Sequence, residues 1–158
     1  MIEYAFKFLD IFEDKRKRDY LRVALIESLR RELKFNEILL RDIINLKGRK
    51  KNPIPNYYTL LCDLKTSSID DFFKTGIPIS TTFDKKLKIE DFQGKEYSKY
   101  FRKSIEKLVY EWEYIEKAFT KLVIAKEVAS KGIEKNIASI NHLIEWNRVA
   151  LMIVNGNE

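Results

Sequence analysis

The sequence predicts an all-α fold: an antiparallel helical bundle of three long helices plus an N-terminal helix, with an irregular excursion at about residues 48–96. Three apolar stripes carry this prediction, because their members recur every three or four residues, which is typical of helices packed along their length. Only 5 glycines and 3 prolines occur among 158 residues, which disfavours a turn-rich β fold. The apolar fraction of 45% suffices for a hydrophobic core and excludes a disordered chain. We expect residues 1–158 to form a single domain.

The first segment, residues 2–12, is apolar except at Glu3, Lys7 and Asp10, whose spacing forms one narrow polar stripe on a helix. A helix with so little polar surface has to be covered, so we expect it to pack against the bundle or a partner subunit. Packing on a membrane surface is the alternative, but helices there favour basic residues on the polar face, and this stripe is mostly acidic. The candidate interface residues of the segment are Phe6, Phe8 and Phe12.

The first long helix is predicted from about residue 19 to residue 46, a stretch without glycine or proline. Gly48 and Pro53 are expected to end it. No helix breaker stands at residues 13–18, so the sequence leaves open whether this helix continues from the first segment. Its apolar stripe consists of Ile26, Leu29, Leu33, Leu40 and Ile43, with Asn36 in the middle.

Basic residues concentrate in the first third of the chain, which carries most of the net charge of +6. Two short runs, 15–18 and 47–51, hold most of them. Such runs can contact nucleic-acid phosphates or acidic partners, although a solvated helix turn and loop are the commoner explanation. The candidate basic surface consists of Lys15, Arg16, Lys17, Arg18, Arg22, Lys47, Arg49, Lys50 and Lys51.

Residues 48–96 differ from the rest because glycines and prolines separate short apolar clusters. Residues 57–64 can form two helical turns, Ser67 or Ser68 can cap a short helix, and residues 77–83 are predicted to be extended. The segment is too apolar for a mobile linker, so we expect it to pack over one end or side of the long helices. The sequence leaves open whether it forms a functional lid or only packing.

The second long helix is predicted from about residue 95 to residue 127, and the third from about residue 133 to residue 154, after a break at residues 130–132. Residues 149–154 are apolar all round, which predicts burial or a subunit interface. The stripe of the second helix consists of Phe101, Ile105, Leu108, Trp112, Ile115, Phe119 and Leu122. The stripe of the third consists of Ile137, Ile140, Ile144 and Leu151, with Asn147 in the middle. The candidate interface residues of both helices are Tyr110, Tyr114, Val149, Met152 and Ile153.

Asn36 and Asn147 occupy core positions on their helices, where an amide destabilises the fold unless it finds hydrogen-bond partners. We expect the two amides to bond to each other across antiparallel helices and to set register or oligomeric state there. The alternative is a polar spot in an apolar groove that orients a small ligand.

No residue pattern indicates catalysis, a cofactor or a metal. His142 is the single histidine and Cys62 the single cysteine, and they lie in distant segments, so no metal-binding spacing exists. In helical register His142 points away from the apolar stripe, which predicts a surface histidine. No glycine-rich phosphate loop or nucleophile motif occurs. A lone cysteine, with no signal peptide and no transmembrane run, predicts a cytoplasmic protein.

The sequence favours a non-enzymatic helical assembly or adaptor module, an accessory or regulatory subunit that self-associates or binds a protein partner. The alternative is a nucleic-acid-binding helical bundle that uses the basic N-terminal third. A weaker alternative is a small-molecule sensor or effector of a microbial defence or mobile-element system, with a ligand pocket roofed by residues 57–83.

Overall fold

The computed structural model describes residues 2–48, 57–88, 90, 105–133 and 137–156, with side chains for residues 14–46, 59–88, 90, 105–133 and 139–156. Within those residues the fold is all-α, with one isolated β-bridge and no strand. The predicted fold class is therefore confirmed. The elements in chain order are α1 (Ile2–Gly48), a 3-10 helix (Tyr57–Asp63), α2 (Ser67–Thr75), α3 (Ile79–Thr82), α4 (Glu111–Ser130) and α5 (Ile137–Asn155).

The helix α1 is continuous through residues 13–18, because no glycine or proline interrupts the chain before Gly48. The N-terminal helix and the first long helix are therefore a single element of 47 residues. Its length is about 70 Å at roughly 1.5 Å per residue. The predicted stripe is confirmed on its C-terminal half. The stripe members without exposed surface are Leu29, Leu33, Asn36, Leu40 and Ile43.

The helix α5 contacts both α1 and α4 and is antiparallel to α1. Nε of Arg30 lies 3.1 Å from Oδ1 of Asn155. Nε of Arg148 lies 3.0 Å from Oε1 of Glu37, so the contacts run in opposite order along the two helices. Because neighbouring helices cover it from two sides, α5 is buried over most of its circumference. Its buried residues include Ile140, Leu143, Ile144, Trp146, Val149, Ala150, Ile153 and Val154.

The 3-10 helix and α2 form a packed excursion over the long helices, as predicted for this part of the chain. The 3-10 helix contacts both α1 and α4, and α2 contacts α1. Leu61 and Leu64 have no exposed surface, and Phe72 on α2 is also buried. The two helical turns predicted for residues 57–64 correspond to the 3-10 helix. The remainder of the excursion, residues 49–56 and 91–96, lies outside the described residues.

The second long helix begins later than predicted, because residues 105–110 are not helical and α4 starts at Glu111. The backbone before α4 pairs with residues 85–87 instead, and the N–H of Glu111 donates to the carbonyl of Lys85 at 2.9 Å. Ile105 is nevertheless buried, so its apolar character reflects a core contact made by non-helical chain. The beginning of the predicted helix, residues 95–104 with Phe101, lies outside the described residues.

Two shorter segments, residues 77–83 and the turn between α4 and α5, agree only in part with the predictions. Residues 77–83, predicted to be extended, contain the single helical turn α3, which is closed by a 2.9 Å hydrogen bond from the Phe83 N–H to the Ile79 carbonyl. The break between the last two helices is confirmed, since α4 ends at Ser130. Gly132 follows with a φ of 74°, a left-handed conformation that only glycine adopts without strain.

Candidate functional site

A polar cleft lies between α1, α4 and the short segment that joins the 3-10 helix to α2. We call it the Glu32 cleft. Its volume is about 570 Å³, which is within the range of small-molecule binding sites. Charged and polar side chains line it from three directions. Among the lining residues are Arg31, Glu32, Cys62, Lys65, Ser67 and Lys126.

Glu32 is buried in the wall of this cleft, with 8% of its surface exposed, and it binds the first turn of α2. One carboxylate oxygen accepts a hydrogen bond from the Ser67 hydroxyl at 2.7 Å. The other accepts one from the Ser68 backbone N–H at 2.9 Å and one from the Ser68 hydroxyl. The prediction that a serine caps α2 is therefore wrong. Thr66 is the N-cap residue and its side chain makes no capping bond, so Glu32 supplies the acceptor from another helix.

Asn36 lies one turn after Glu32 and binds the backbone of Lys65 twice. Its Nδ2 donates to the Lys65 carbonyl and its Oδ1 accepts from the Lys65 N–H, both at 2.8 Å. Asn147 instead donates from Nδ2 to the Leu33 carbonyl at 2.8 Å. The predicted bond between the two amides is therefore wrong, because each amide binds a backbone group. Within the described residues, Oδ1 of Asn147 is buried without a hydrogen-bond partner.

Lys126 on α4 holds the same segment from the opposite side, since its Nζ donates to the Leu64 carbonyl at 2.9 Å. Residues 64–68 are thus fixed by Glu32 and Asn36 on α1 and by Lys126 on α4. Glu32 and Lys126 are not among the residues predicted from the sequence to form a site, because charged residues on a long helix are usually at the surface. The one sequence signal is the spacing of four between Glu32 and Asn36, which places both side chains on the same helix face.

The N-terminal half of α1 forms a second candidate site, which we call the arm and define as residues 2–24. Residues 14–24 are all exposed except Arg22, which is partly buried, and Leu25 is the first buried residue of α1 among those whose side chains are described. Apart from Arg22, these three turns of helix are therefore exposed to solvent. Tyr20 is 77% exposed and Val23 68%, so the arm presents apolar surface to solvent. The side chains of Phe6, Phe8 and Phe12 lie outside the described residues.

The arm carries the first of the two predicted basic runs, and Lys15, Arg16, Lys17 and Arg18 are all exposed. Lys47 belongs to the opposite end of α1, about 45 Å away along the helix axis. The predicted basic surface is therefore not a single patch, because one rigid helix separates its two parts. The rest of the second run, Arg49, Lys50 and Lys51, lies outside the described residues.

Comparisons of the chain with protein-family models, curated proteins and solved structures find no significant match. Its sites therefore rest on geometry and chemistry alone. In the described residues, no three His, Cys, Asp or Glu side chains come together in a way that could hold a metal ion. The described helices include none whose length and hydropathy would allow it to cross a bilayer.

Three predicted interface residues are buried in the core of the chain itself. Tyr114 is 2% exposed, Ile153 is 4% exposed, and Val149 has no exposed surface. Burial, the first of the two alternatives predicted for residues 149–154, is therefore confirmed at Val149 and Ile153. Neighbouring helices and the chain before α4 leave none of the three residues exposed as an interface. Tyr110 and Met152, the other two candidates on these helices, are partly buried.

Tyr114 fixes the non-helical chain before α4. Its hydroxyl oxygen accepts a hydrogen bond from the Leu108 N–H at 2.8 Å, and the hydroxyl donates to the Leu108 carbonyl at 3.1 Å. Burial raises the pKa of the Tyr114 hydroxyl above its ordinary value, the hydrogen bond with the Leu108 backbone offsets part of this rise, and the nearby Glu113 carboxylate adds to it. Burial also raises the pKa of Glu116, again with a contribution from Glu113. Both shifts therefore have packing as their main cause.

His142 is partly buried, which corrects the prediction of a surface histidine. Its Nε2 accepts a hydrogen bond from Nε1 of Trp146 at 3.1 Å, and the two rings meet edge-on with centroids 6.3 Å apart. Trp146 is 1% exposed, and the ammonium groups of Lys117 and Lys121 lie 5.6 and 5.5 Å from its ring centroid. The histidine therefore provides the acceptor that a buried indole N–H requires.

Proposed function

We propose that the protein is a non-enzymatic assembly module, an accessory or regulatory subunit that self-associates through the arm. The observation that carries this proposal is the exposure of residues 14–24 around α1. A helix gains most of its stability from packing an apolar face, so a free-standing helical arm calls for a partner. Tyr20 and Val23 are three residues apart, lie on one face and are both largely exposed, so they provide part of such a face.

The composition of residues 2–12 supports the same proposal, because only Glu3, Lys7 and Asp10 are polar there. A second copy of the chain is the partner that we propose, since most soluble oligomers are built from identical chains. Residues 15–18 carry four positive charges, which repel the same run on a second arm when the two arms pair. Added salt screens this repulsion, so self-association should strengthen with ionic strength.

Sedimentation velocity and light scattering of the full chain at tens of micromolar, in low and in high salt, test the proposal. We expect a dimer or larger species that is more populated in high salt. Tyr20→Ser combined with Val23→Ser should shift the population toward monomer, because it removes the two most exposed large apolar side chains described in the arm. Phe8→Ser combined with Phe12→Ser tests the distal half of the arm in the same way.

Phe73→Ser is the matched control, because Phe73 is 69% exposed but lies on α2, outside the arm. It should leave the assembly state unchanged. A wild-type chain that is monomeric at every salt concentration contradicts self-association. Dissociation by Phe73→Ser and not by the arm variants contradicts the arm as the interface.

A nucleic-acid-binding role is the second candidate, favoured by the full exposure of residues 15–18. The opposite salt dependence distinguishes it, because displacement of counterions from phosphates makes binding weaken steeply as salt increases. Arg16→Gln combined with Lys17→Gln should then reduce affinity for duplex or single-stranded probes and flatten the salt dependence. Affinity that does not fall with salt contradicts this role.

A further inference from the structure

We propose that the Glu32 cleft binds a small molecule through a phosphate group. This inference is independent of the proposed assembly role, because no residue of the arm lines the cleft. The cavity has a volume of about 570 Å³, which exceeds the volume of an inorganic phosphate ion. The ligand is accordingly a phosphate ester of a small organic molecule, with the phosphate held at the charged wall.

Two lysines that line the cleft, Lys65 and Lys126, have no carboxylate partner among the described residues. The Lys126 Nζ donates to the neutral carbonyl of Leu64, which leaves two of its three hydrogens for another acceptor. The Lys65 Nζ lies 4.5 Å from the centroid of the Phe35 ring, a contact that also leaves its charge unneutralised. Arg31 lines the same cavity and is engaged with Glu27 at 3.5 Å at the exposed rim.

The two carboxylates that line the cleft do not cancel these charges. Both oxygens of Glu32 are occupied by hydrogen bonds from Ser67 and Ser68, and the N-terminal dipole of α2 stabilises its negative charge. Asp63 is exposed. Since Arg31 is paired with Glu27, the cleft-lining cations left without a carboxylate partner among the described residues are Lys65 and Lys126, and the more deeply buried carboxylate of the cleft is already saturated. A phosphate oxygen is the acceptor that the free ammonium hydrogens lack.

The cleft wall is also preformed. Residues 64–68 are held by Glu32, Asn36 and Lys126, so these residues lose little conformational entropy when a ligand binds. Ser28 and Thr66 also line the cavity and add hydroxyl groups that can bond to ligand oxygens. A fixed wall with convergent cations and hydroxyls is the arrangement expected of a phosphate site.

Isothermal titration of the full chain with inorganic phosphate and with pyrophosphate, at ionic strength held constant with sodium chloride, tests the proposal. We expect saturable binding to a single site. Lys126→Gln should weaken it about tenfold, the equivalent of one charge-assisted hydrogen bond. Lys131→Gln is the matched control, because it removes one positive charge from an exposed position at the end of the same helix. It should change the affinity less than about twofold, by the effect of long-range charge.

Arg31→Gln is a second cleft variant, which keeps the test valid if Lys126→Gln impairs folding. The Arg31 side chain is 78% exposed and contributes little to the core, so its replacement should not affect folding. It should weaken binding several-fold while the thermal denaturation curve stays that of the wild type. Equal weakening by Lys131→Gln, or no saturable heat with either probe, would overturn the proposal.

Cys62 locates the bound probe within the chain. It is the single cysteine of the sequence, it is partly exposed, and it lines the cleft. Saturating pyrophosphate should slow the alkylation of Cys62 by iodoacetamide about tenfold or more, the shielding expected when a ligand occupies most molecules. Sodium chloride at the same ionic strength should leave the rate unchanged. Binding without protection of Cys62 would place the phosphate elsewhere and contradict the assignment.

Discussion

The carboxylate of Glu32 on α1 caps the first turn of α2 by accepting hydrogen bonds from the backbone N–H of Ser68, at 2.9 Å, and from its hydroxyl. A residue 36 positions earlier in the chain thereby does what an N-cap side chain usually does. Asn36, one helical turn later, binds the backbone of Lys65 just before α2. The long helix therefore sets the position of the excursion through two polar side chains rather than through apolar contacts alone.

Glu32→Gln should lower the free energy of unfolding by about 2 kcal/mol, because a neutral amide replaces a buried acceptor that takes three hydrogen bonds. Glu27→Gln is the control on the same helix. Its ion pairs with Arg30 and Arg31 are partly exposed, so its loss should cost less than about 0.5 kcal/mol. Urea unfolding followed by circular dichroism measures both. Equal losses in the two variants would show that Glu32 makes only a surface-like contribution.

The apolar stripe of α1 was predictable because helical periodicity is a local property of the sequence. Leu29, Leu33, Asn36, Leu40 and Ile43 recur at three- and four-residue spacing, and all five are fully buried. The continuity of α1 through residues 13–18 was not predictable, since those residues contain neither a helix breaker nor an apolar stripe that would indicate a packed helix. The helix persists there, and residues 14–18 carry exposed, charged side chains.

The start of α4 shows where periodicity fails. Ile105 and Leu108 have helical spacing, but the backbone that follows them makes other hydrogen bonds. Its partners are residues 85–87, which are distant in sequence, and the Glu113 side chain in the first turn of α4. Glu113 accepts hydrogen bonds from the N–H groups of Val109 and Tyr110, each at 2.9 Å. These bonds, and the pairing with residues 85–87, outweigh the helical preference of the segment. A spacing pattern cannot reveal a competing tertiary partner.

The Glu32 cleft was less predictable than the bundle, because its wall is assembled from three segments far apart in the sequence. Sequence analysis singled out Asn36 as a polar core residue, which is correct, and assigned it the wrong partner. The correct partner, the Lys65 backbone, carries no side-chain signature. Buried side-chain-to-backbone bonds of this kind are invisible to patterns of residue type.

The two buried asparagines should respond oppositely to replacement by leucine, which has a similar branched shape. Asn36→Leu should lower the free energy of unfolding by about 2 kcal/mol or more, because the N–H and carbonyl of Lys65 lose their partners. Asn147→Leu should be neutral or stabilising by up to about 1 kcal/mol, because it removes a buried, unpartnered Oδ1 atom, and the Leu33 carbonyl that loses the Nδ2 hydrogen bond keeps its backbone bond within α1. Each variant is the control for the other in denaturant unfolding. Equal destabilisation of the two would contradict the difference in their hydrogen bonding.

Gly132→Ala should lower the free energy of unfolding by about 1 kcal/mol, because the φ of 74° at this turn is strained for any residue with a Cβ atom. A Cβ atom at this position would have no neighbouring atom within 4 Å among the described residues, so the cost is one of backbone conformation and not of a clash. Gly156→Ala is the control, since its φ is not in the left-handed region and its nearest contact is an ordinary 3.4 Å to the Met152 carbonyl. A Gly132 variant as stable as the Gly156 variant would contradict the left-handed turn.

Alkaline pH should destabilise the protein partly through Tyr114, whose pKa is raised by burial and by Glu113. In the unfolded chain this hydroxyl ionises at about pH 10, whereas in the folded chain it stays neutral to higher pH. Stability is therefore fully present below about pH 10 and is lost as the pH rises toward the folded-state pKa. Tyr114→Phe should cost about 1 kcal/mol at neutral pH, through the lost bonds to Leu108.

The free energy of unfolding of Tyr114→Phe should fall less at alkaline pH than that of the wild type. The difference in this free energy between the two proteins should therefore narrow as the pH rises above about 10. Urea unfolding at neutral and alkaline pH measures this difference directly. Tyr110→Phe is the control, because it leaves the hydroxyl of Tyr114 in place and should keep the wild-type dependence on pH. A constant gap between wild type and Tyr114→Phe at every pH would mean that the buried hydroxyl does not titrate differently in the folded and unfolded chains.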